Sequence, residues 1–97
     1  MIHIVVYDLK GAAGSYPEFF ETLKAQGSWW HYLKVSAWLV STERTPQQVF
    51  AALQPYLRTG DHLLVWELGR ARQGWLPRAA WDWIKRHEKK TISSDRD

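Results

Sequence analysis

Hydrophobic and polar positions divide the chain into short strands and amphipathic helices. The first strand, residues 2–8, is apolar on both faces, which is typical of a central strand covered on both sides. Its faces carry alternate residues, Ile2, Ile4 and Val6 on one and His3, Val5 and Tyr7 on the other. The pattern therefore predicts a sheet that needs a cover on each face.

Two later segments have the apolar period of amphipathic helices. The first is predicted to start at Ser15, whose spacing to Glu18 is that of a capping box, and to stop at Gly27. The second has the same box at Thr45 and Gln48, with proline at the first helical position. Their buried stripes are predicted to be Tyr16, Phe19, Phe20 and Leu23 in the first helix and Val49, Phe50, Leu53 and Leu57 in the second.

Three further strands are predicted between and after these helices. The aromatic and β-branched stretch after the first helix splits into Trp29–Leu33 and Val35–Ser41, with a tight connection near Lys34. His62–Leu68 is a fourth strand, again apolar on both faces. The two middle strands are expected to pair as a hairpin.

The C-terminal part is predicted to form a short helix and a tail. Pro77 begins the helix, which has Ala80, Trp81 and Ile84 on its apolar side and ends near His87. Residues 88–97 are polar and lack periodicity, which favours a frayed terminus. We therefore expect one domain over residues 1–87, followed by a disordered polar tail over residues 88–97.

The element order predicts an α+β fold of the ferredoxin-like βαββαβ type with an added C-terminal helix. In this fold both long helices cover one face of the sheet, so the other face, to which we assign Val5 and Val65, would be bare and apolar. Such a face is typical of an interface. Two covers stay open: the facing sheet of a second copy in a homodimer, or the C-terminal helix folding back.

Composition narrows the class of protein. The 97 residues suit one domain, and the lack of cysteine excludes disulfides and thiolate metal sites. Neither a basic leader nor an apolar run of membrane-spanning length is visible, so we expect a cytoplasmic protein without a membrane partner. Seven tryptophans indicate more buried surface than one small core requires. The net charge of +3 permits an anionic partner.

Several motifs occur in a characteristic order over residues 1–68. They are Val6-Tyr7-Asp8 at the end of the first strand, Val35-Ser36-Ala37-Trp38, and Asp61-His62-Leu63-Leu64-Val65-Trp66. In these motifs the chain resembles the small CRISPR-associated Cas-two family and its SinR-like relatives, and more distantly virulence-associated protein D. Further stretches resemble the SinR-like group in particular. They are Gly27-Ser28-Trp29-Trp30-His31-Tyr32-Leu33, and Gly74-Trp75-Leu76-Pro77 followed by Ala80-Trp81-Asp82-Trp83.

The resemblance implies a role for the end of the first strand. It implies that Asp8 is a ligand for magnesium, or manganese, and that a two-fold dimer brings the Asp8 carboxylates of both chains together. It also implies that Ser36 lies near Asp8 on the neighbouring strand, where it would touch a phosphate. The alternative is that Asp8 holds the following loop as a turn residue.

Cationic residues provide a second set of candidates. Arg70, Arg72 and Arg78 bracket Gly74-Trp75, and guanidinium groups beside an aromatic suit a phosphate backbone. Lys10, close to Asp8, would steer a phosphate there. Ordinary surface solubility is the alternative for all four cations.

Aromatic and histidine side chains remain ambiguous. The run of residues 29–32 would stack on bases or pack in the core, and because strand residues alternate between faces it cannot form one platform. His3, His31 and His62 have no metal-motif spacing, so strand packing competes with acid–base or ligand roles. The loop of residues 11–14 lacks the Lys-Ser/Thr of a phosphate-binding P-loop.

Two functions stay open. One is a homodimeric, divalent-metal-dependent nuclease that cleaves DNA or RNA with paired Asp8 carboxylates. The other is a non-catalytic dimer that binds nucleic acid or joins a larger protein assembly. The acidic first helix, with Glu18 and Glu21 against Lys24, and the lack of a second carboxylate near Asp8 in the sequence favour the second function. The Cas-two family often has a basic helix at this position.

Overall fold

The computed structural model describes residues 1–12, 14–31 and 36–95. These residues form both strands and helices. In chain order they are β1 (Ile2–Asp8), α1 (Pro17–Lys24), β2 (Ser28–His31), β3 (Ala37–Ser41), α2 (Pro46–Leu53) with a 3₁₀ turn (Gln54–Tyr56), β4 (His62–Glu67) and α3 (Arg78–Asp95).

In the described part of the chain the strands form one four-stranded antiparallel sheet in the order β2-β3-β1-β4. Strands β1 and β3 are therefore central, while β2 and β4 form the edges. The α+β class and the pairing of the two middle strands as antiparallel neighbours agree with the sequence prediction. The predicted connection near Lys34 lies outside the described residues.

Helices α1 and α2 cover one face of the sheet. The core between them contains the first predicted stripe and, from the second, Val49, Leu53 and Leu57. Phe19, Leu23, Val49 and Leu53 are fully buried. From the sheet side, the buried Val5, Trp38 and Val40 contact them, with Val65 partly buried at the margin. The assignment of Val5 and Val65 to a bare face was therefore wrong. The alternation within β1 was read correctly, but the helices cover the opposite set of side chains.

Helix α3 covers part of the second face. Trp83 and Ile84 pack on Ile2, and these buried residues contact partly buried apolar side chains of the sheet and of the segment before α3. Those side chains are Trp30, Leu39, Leu68, Leu76 and Trp81. Of the two covers considered from the sequence, the C-terminal helix thus supplies one over the Ile2 end of the sheet.

The rest of the second face stays open. Register places Val6 between Ala37 and Leu64, and Ile4 between Leu39 and Trp66. Leu64 is 59% exposed and Trp66 is 40% exposed. We call Ile4, Val6, Ala37, Leu64 and Trp66 the open patch.

The two predicted capping boxes have different outcomes. Thr45 caps α2 as expected, because its side chain accepts from the Gln48 backbone and the Gln48 side chain accepts in return. Ser15 does not cap α1, which begins at Pro17 with Tyr16 as its N-cap. The residue before a proline is driven out of the helical region, so the box, which places Tyr16 inside the helix, cannot form. Ser15 donates instead to the carbonyl of Ala12, at 2.6 Å.

Gly27 is needed for a close approach rather than for the end of a helix. α1 ends at Lys24, and Gly27 lies where the chain turns into β2 beside the end of β3. A Cβ atom at this position would lie 2.0 Å from the Ser41 carbonyl oxygen. Any other residue would therefore push β2 away from β3.

Helix α3 extends beyond the end predicted near His87. Its backbone is helical through Asp95, so residues 88–95 continue the helix. The sequence there contains good helix formers and has neither glycine nor proline, which is why nothing stops the helix where its apolar period ends. No helix in the described residues is long and apolar enough to span a membrane.

Candidate functional site

Asp8 ends the central strand β1 in an exposed position. Its carboxylate forms an ion pair with Lys10 Nζ at 3.0 Å, and both side chains are more than half exposed. His62 is its register partner on β4. On the other side, the Tyr7 backbone donates to the Ser36 carbonyl at 3.2 Å. Asp8, Lys10 and Ser36 therefore lie at one end of the sheet, as predicted.

The carboxylate of Asp61 holds the loop after Asp8. From the sequence, Asp61 was recognised only as the first residue of a motif. Asp61 Oδ1 accepts from the Lys10 backbone at 2.8 Å, and Asp61 Oδ2 accepts from the Arg58 backbone at 2.8 Å. The Tyr16 hydroxyl donates to both carboxylate oxygens at 3.0–3.1 Å. The same hydroxyl accepts from the Gly11 backbone at 3.0 Å. Asp61 thus joins the loop after β1 to the turn before β4.

Hydrogen bonds lower the pKa of Asp61. The largest contribution is the hydrogen bond from the Lys10 backbone; the Arg58 backbone, the Tyr16 hydroxyl and the Arg58 charge add to it, against a smaller opposing effect of desolvation. Arg58 also stacks on the Tyr16 ring, with the guanidinium carbon 4.1 Å from its centroid, and donates to the Ser15 carbonyl. The carboxylate is therefore ionised and committed to structure.

The donor set around Asp8 does not fit a divalent metal within one chain. Magnesium prefers oxygen ligands in octahedral geometry, and Asp8 supplies one carboxylate that Lys10 already neutralises. No group of three acidic or histidine side chains converges as metal ligands in the described residues.

The predicted arginines lie at the opposite end of the sheet. The Leu68 backbone donates to the Ile2 carbonyl at 2.8 Å, so the chain leaves β4 at the Ile2 end and continues into residues 69–77. A strand as long as β1 separates the two ends by about 20 Å. One chain therefore does not bring Asp8, Lys10 and Ser36 together with Arg70, Arg72 and Arg78.

The arginine end forms an open groove between the 69–77 loop and one face of α3. Its volume is about 610 Å³. We call it the basic groove, and it is lined by Arg70, Arg72, Gln73, Gly74, Arg78, Trp81, Asp82 and Lys85. In this lining four cations outnumber the one carboxylate, Asp82, and the half-buried ring of Trp81 forms part of the wall.

Arg72 holds the groove together. Its guanidinium pairs with Glu88 at 2.6 Å and donates to the Gly69 carbonyl at 2.7 Å. About a fifth of each side chain in the Arg72–Glu88 pair is exposed. Among the described residues no carboxylate pairs with Arg70, Arg78 or Lys85. Arg72 therefore shapes the groove, and the other three cations are available to a ligand.

The aromatic run of residues 29–31 is divided between the two faces, as alternation requires. Trp29 and His31 contact Trp38 on the helix-covered side, with ring centroids 5.0 and 4.3 Å apart, while Trp30 packs on the side of α3. Tyr32 lies outside the described residues. These contacts favour packing over a base-stacking platform.

Tyr7 and His3 belong to the same covered face. Burial raises the pKa of Tyr7, an effect that the hydrogen bond from Trp38 Nε1 to its hydroxyl, 3.0 Å long, partly opposes. His3 is fully buried, and its Nε2–H donates to the Arg44 carbonyl at 2.6 Å. Both residues stabilise the core, and neither faces the groove.

Sequence reasoning missed Trp81, Asp82 and Lys85 as lining residues. Together with Arg78 they follow the i, i+3, i+4, i+7 spacing of one helical face, a signal that was present in the sequence. It was obscured because Trp81 had been read as part of the apolar side of the helix. Asp61 lacked such a signal, since two of its partners, Lys10 and Tyr16, are 51 and 45 positions away in the sequence.

Comparison of this chain with protein-family models, curated proteins and solved structures finds no match. Its function must therefore be argued from the groove and the strand end.

Replacing Asp61 by asparagine is expected to make stability less dependent on acid pH. Because the folded-state pKa is lowered, Asp61 contributes stability that is complete above the unfolded pKa, about 4, and is lost as pH falls through the folded pKa. Urea unfolding should show a gap between wild type and Asp61→Asn at pH 7 that closes toward pH 2.5.

Asp82→Asn, which removes an exposed carboxylate on α3, is the control and should stay within about 0.5 kcal/mol of wild type at pH 7. A gap between Asp61→Asn and wild type that is equal at both pH values would contradict the role of the Asp61 charge.

Proposed function

We propose that this protein binds nucleic acid through the basic groove. The observation that carries the proposal is the groove itself, in which the side chains of Arg70, Arg78 and Lys85 converge without a carboxylate partner among the described residues. Cations gathered in a concave site attract a polyanion, and each phosphate they neutralise releases a counterion. Arginine in particular matches the geometry of phosphate oxygens.

The residues of the basic groove favour ligand binding over catalysis. None of the described residues that line the groove is a nucleophile held by a base, and the acid among them, Asp82, is exposed. Arg72 and Glu88 fix the loop against α3 before any ligand arrives, so the site is formed in advance. Such a groove suits a non-catalytic scaffold that holds a phosphate backbone.

The fold supports the same proposal. We propose a ferredoxin-like sandwich with an added helix, because the strand order β2-β3-β1-β4 and the element order up to β4 fit that arrangement. In this arrangement α3 is the addition, and it supplies one wall of the basic groove. The resemblance to the Cas-two family and its SinR-like relatives remains a hypothesis of relationship that rests on the motifs.

Neutralising the groove is expected to weaken binding in a salt-dependent way. Three phosphate contacts predict a slope of log K against log salt of about −2 for a single strand, or roughly a 20-fold loss of affinity between 50 and 200 mM salt. Arg70→Gln and Lys85→Gln should each reduce the slope by about 0.7. Fluorescence anisotropy of labelled DNA and RNA oligonucleotides measures both quantities.

Arg86→Gln is the matched control for Lys85→Gln. Arg86 is the next residue on the same helix, is exposed, and does not line the groove. If all three variants lose the same affinity, binding follows net charge alone and the groove is not the site.

We propose that a second copy of the chain covers the open patch. An exposed apolar surface on a sheet favours association, and a two-fold axis matches the patch to itself. Asp8 and Lys10, of opposite charge, lie next to each other at its border. A second copy placed against the open patch would therefore meet this ion pair at the edge of the interface.

Trp66→Glu is expected to convert the dimer to a folded monomer, because a buried unpaired carboxylate costs several kcal/mol. Sedimentation equilibrium gives the mass, and circular dichroism checks the fold. Tyr56→Glu is the control, since Tyr56 is 36% exposed in the 3₁₀ turn, away from the patch, and should leave the dimer intact. A monomeric wild type, or a dimeric Trp66→Glu, would contradict the proposed interface.

A second candidate function is a metal-dependent nuclease centred on Asp8. The favouring observation is that Asp8 follows Val6 on the same face of β1, so pairing through the open patch would place two Asp8 carboxylates near the axis. Since one chain does not fit magnesium or manganese, this function requires the Asp8 of the second copy.

Asp8→Asn is expected to abolish cleavage of labelled DNA or RNA while the dimer persists. The assay compares magnesium, manganese and chelator on single- and double-stranded substrates. Glu43→Gln serves as the control, because it removes an exposed carboxylate at the opposite end of the sheet and outside the groove lining. Cleavage that Asp8→Asn leaves unchanged, or no cleavage by wild type, would remove this candidate.

A further inference from the structure

Trp75 is displayed to solvent beside the basic groove. Its side chain is 99% exposed, although tryptophan is among the side chains that gain most from burial. It follows Gly74, a residue of the groove lining. Neither core cluster includes it, so Trp75 has no packing role in the described fold.

Contacts before and after Trp75 in the sequence hold its loop in place. Before it, Arg72 is tied to Glu88, and Gly74 lies against the Trp81 ring, since a Cβ there would lie 3.8 Å from two ring carbons. After it, Leu76 packs in the cluster around Ile84. When an aromatic side chain lies on a loop that is already held in place, little backbone conformational entropy is lost on binding a ligand.

We infer that the ligand of the basic groove is a single-stranded nucleic acid, one base of which stacks on Trp75. The inference rests on the proposed function and names its substrate class. The unpaired cations of the groove take the phosphates, and the exposed indole takes the face of a base. Base faces are free in a single strand and hidden in a duplex, and aromatic stacking accepts any base.

The shape of the site favours a nucleic acid strand over an anionic membrane. The phosphate-binding cations line a groove, which a flexible strand enters and a flat lipid surface does not. Binding to vesicles is therefore an outcome that would overturn the inference.

The experiment compares three probes with equal numbers of phosphates: oligo(dT), an abasic strand of the same length, and a duplex of half that length. Wild type should bind oligo(dT) about 5- to 150-fold more tightly than the abasic strand, which is the contribution of one stacked base. Trp75→Ala should remove this preference, Trp75→Phe should keep part of it, and Tyr56→Ala should keep all of it.

The outcomes separate the inference from the proposed function. If Trp75→Ala keeps the preference for bases while Arg70→Gln weakens binding, the groove stands and the stacking role of Trp75 is overturned. If wild type prefers the duplex, the single-strand class is overturned. If wild type binds vesicles of phosphatidylserine and phosphatidylcholine more tightly than any oligonucleotide, and Trp75→Ala reduces that binding, both the inference and the proposed function are overturned.

Discussion

The central constraint on this fold is a sheet that is apolar on both faces. Two helices from the βαββαβ part of the chain cover the first face, and their core buries Val5 completely. The second face has to be covered by another part of the chain or by another molecule, because exposed apolar area is costly in water. α3 covers the Ile2 end, which places it beside the 69–77 loop and creates the basic groove. The open patch is the remainder.

Parts of the fold followed from local rules, and parts did not. The Thr45 box was predictable because Pro46 stands at the first helical position, where proline is tolerated. The Ser15 box does not form because Pro17 is two residues after Ser15 rather than one. The proline ring keeps Tyr16 out of the helical conformation that the box requires. Strand alternation correctly separated Ile4 from Val5, but it cannot say which set the helices cover, since both sets are apolar. That choice is made by the tertiary packing of Phe19 and Leu23.

The candidate sites divide in the same way. The resemblance of the motifs implied that Asp8 and Ser36 lie close together, whereas their distance from Arg70 became known only with the direction of β4. Residue type alone could not separate Arg72, whose partner Glu88 makes it structural, from Arg70 and Arg78. The tryptophan count was informative in another sense: Trp29, Trp66 and Trp75 are at least 40% exposed. Part of the aromatic excess therefore lies on surfaces rather than in the core.

The Asp61 carboxylate also has a consequence for the order of folding. Its bonds to Lys10 and Tyr16 join residues 51 and 45 positions apart, so they carry a loop-closure entropy cost and require the turn before β4 to be in place. The segment after Asp8 thus acquires its shape only once β4 has joined the sheet. A chain that has assembled β1, β2 and β3 alone would carry the Asp8 strand end without the loop that orients it. An ordered loop after Asp8 therefore indicates that the whole sheet has formed, including β4, the last strand in the sequence.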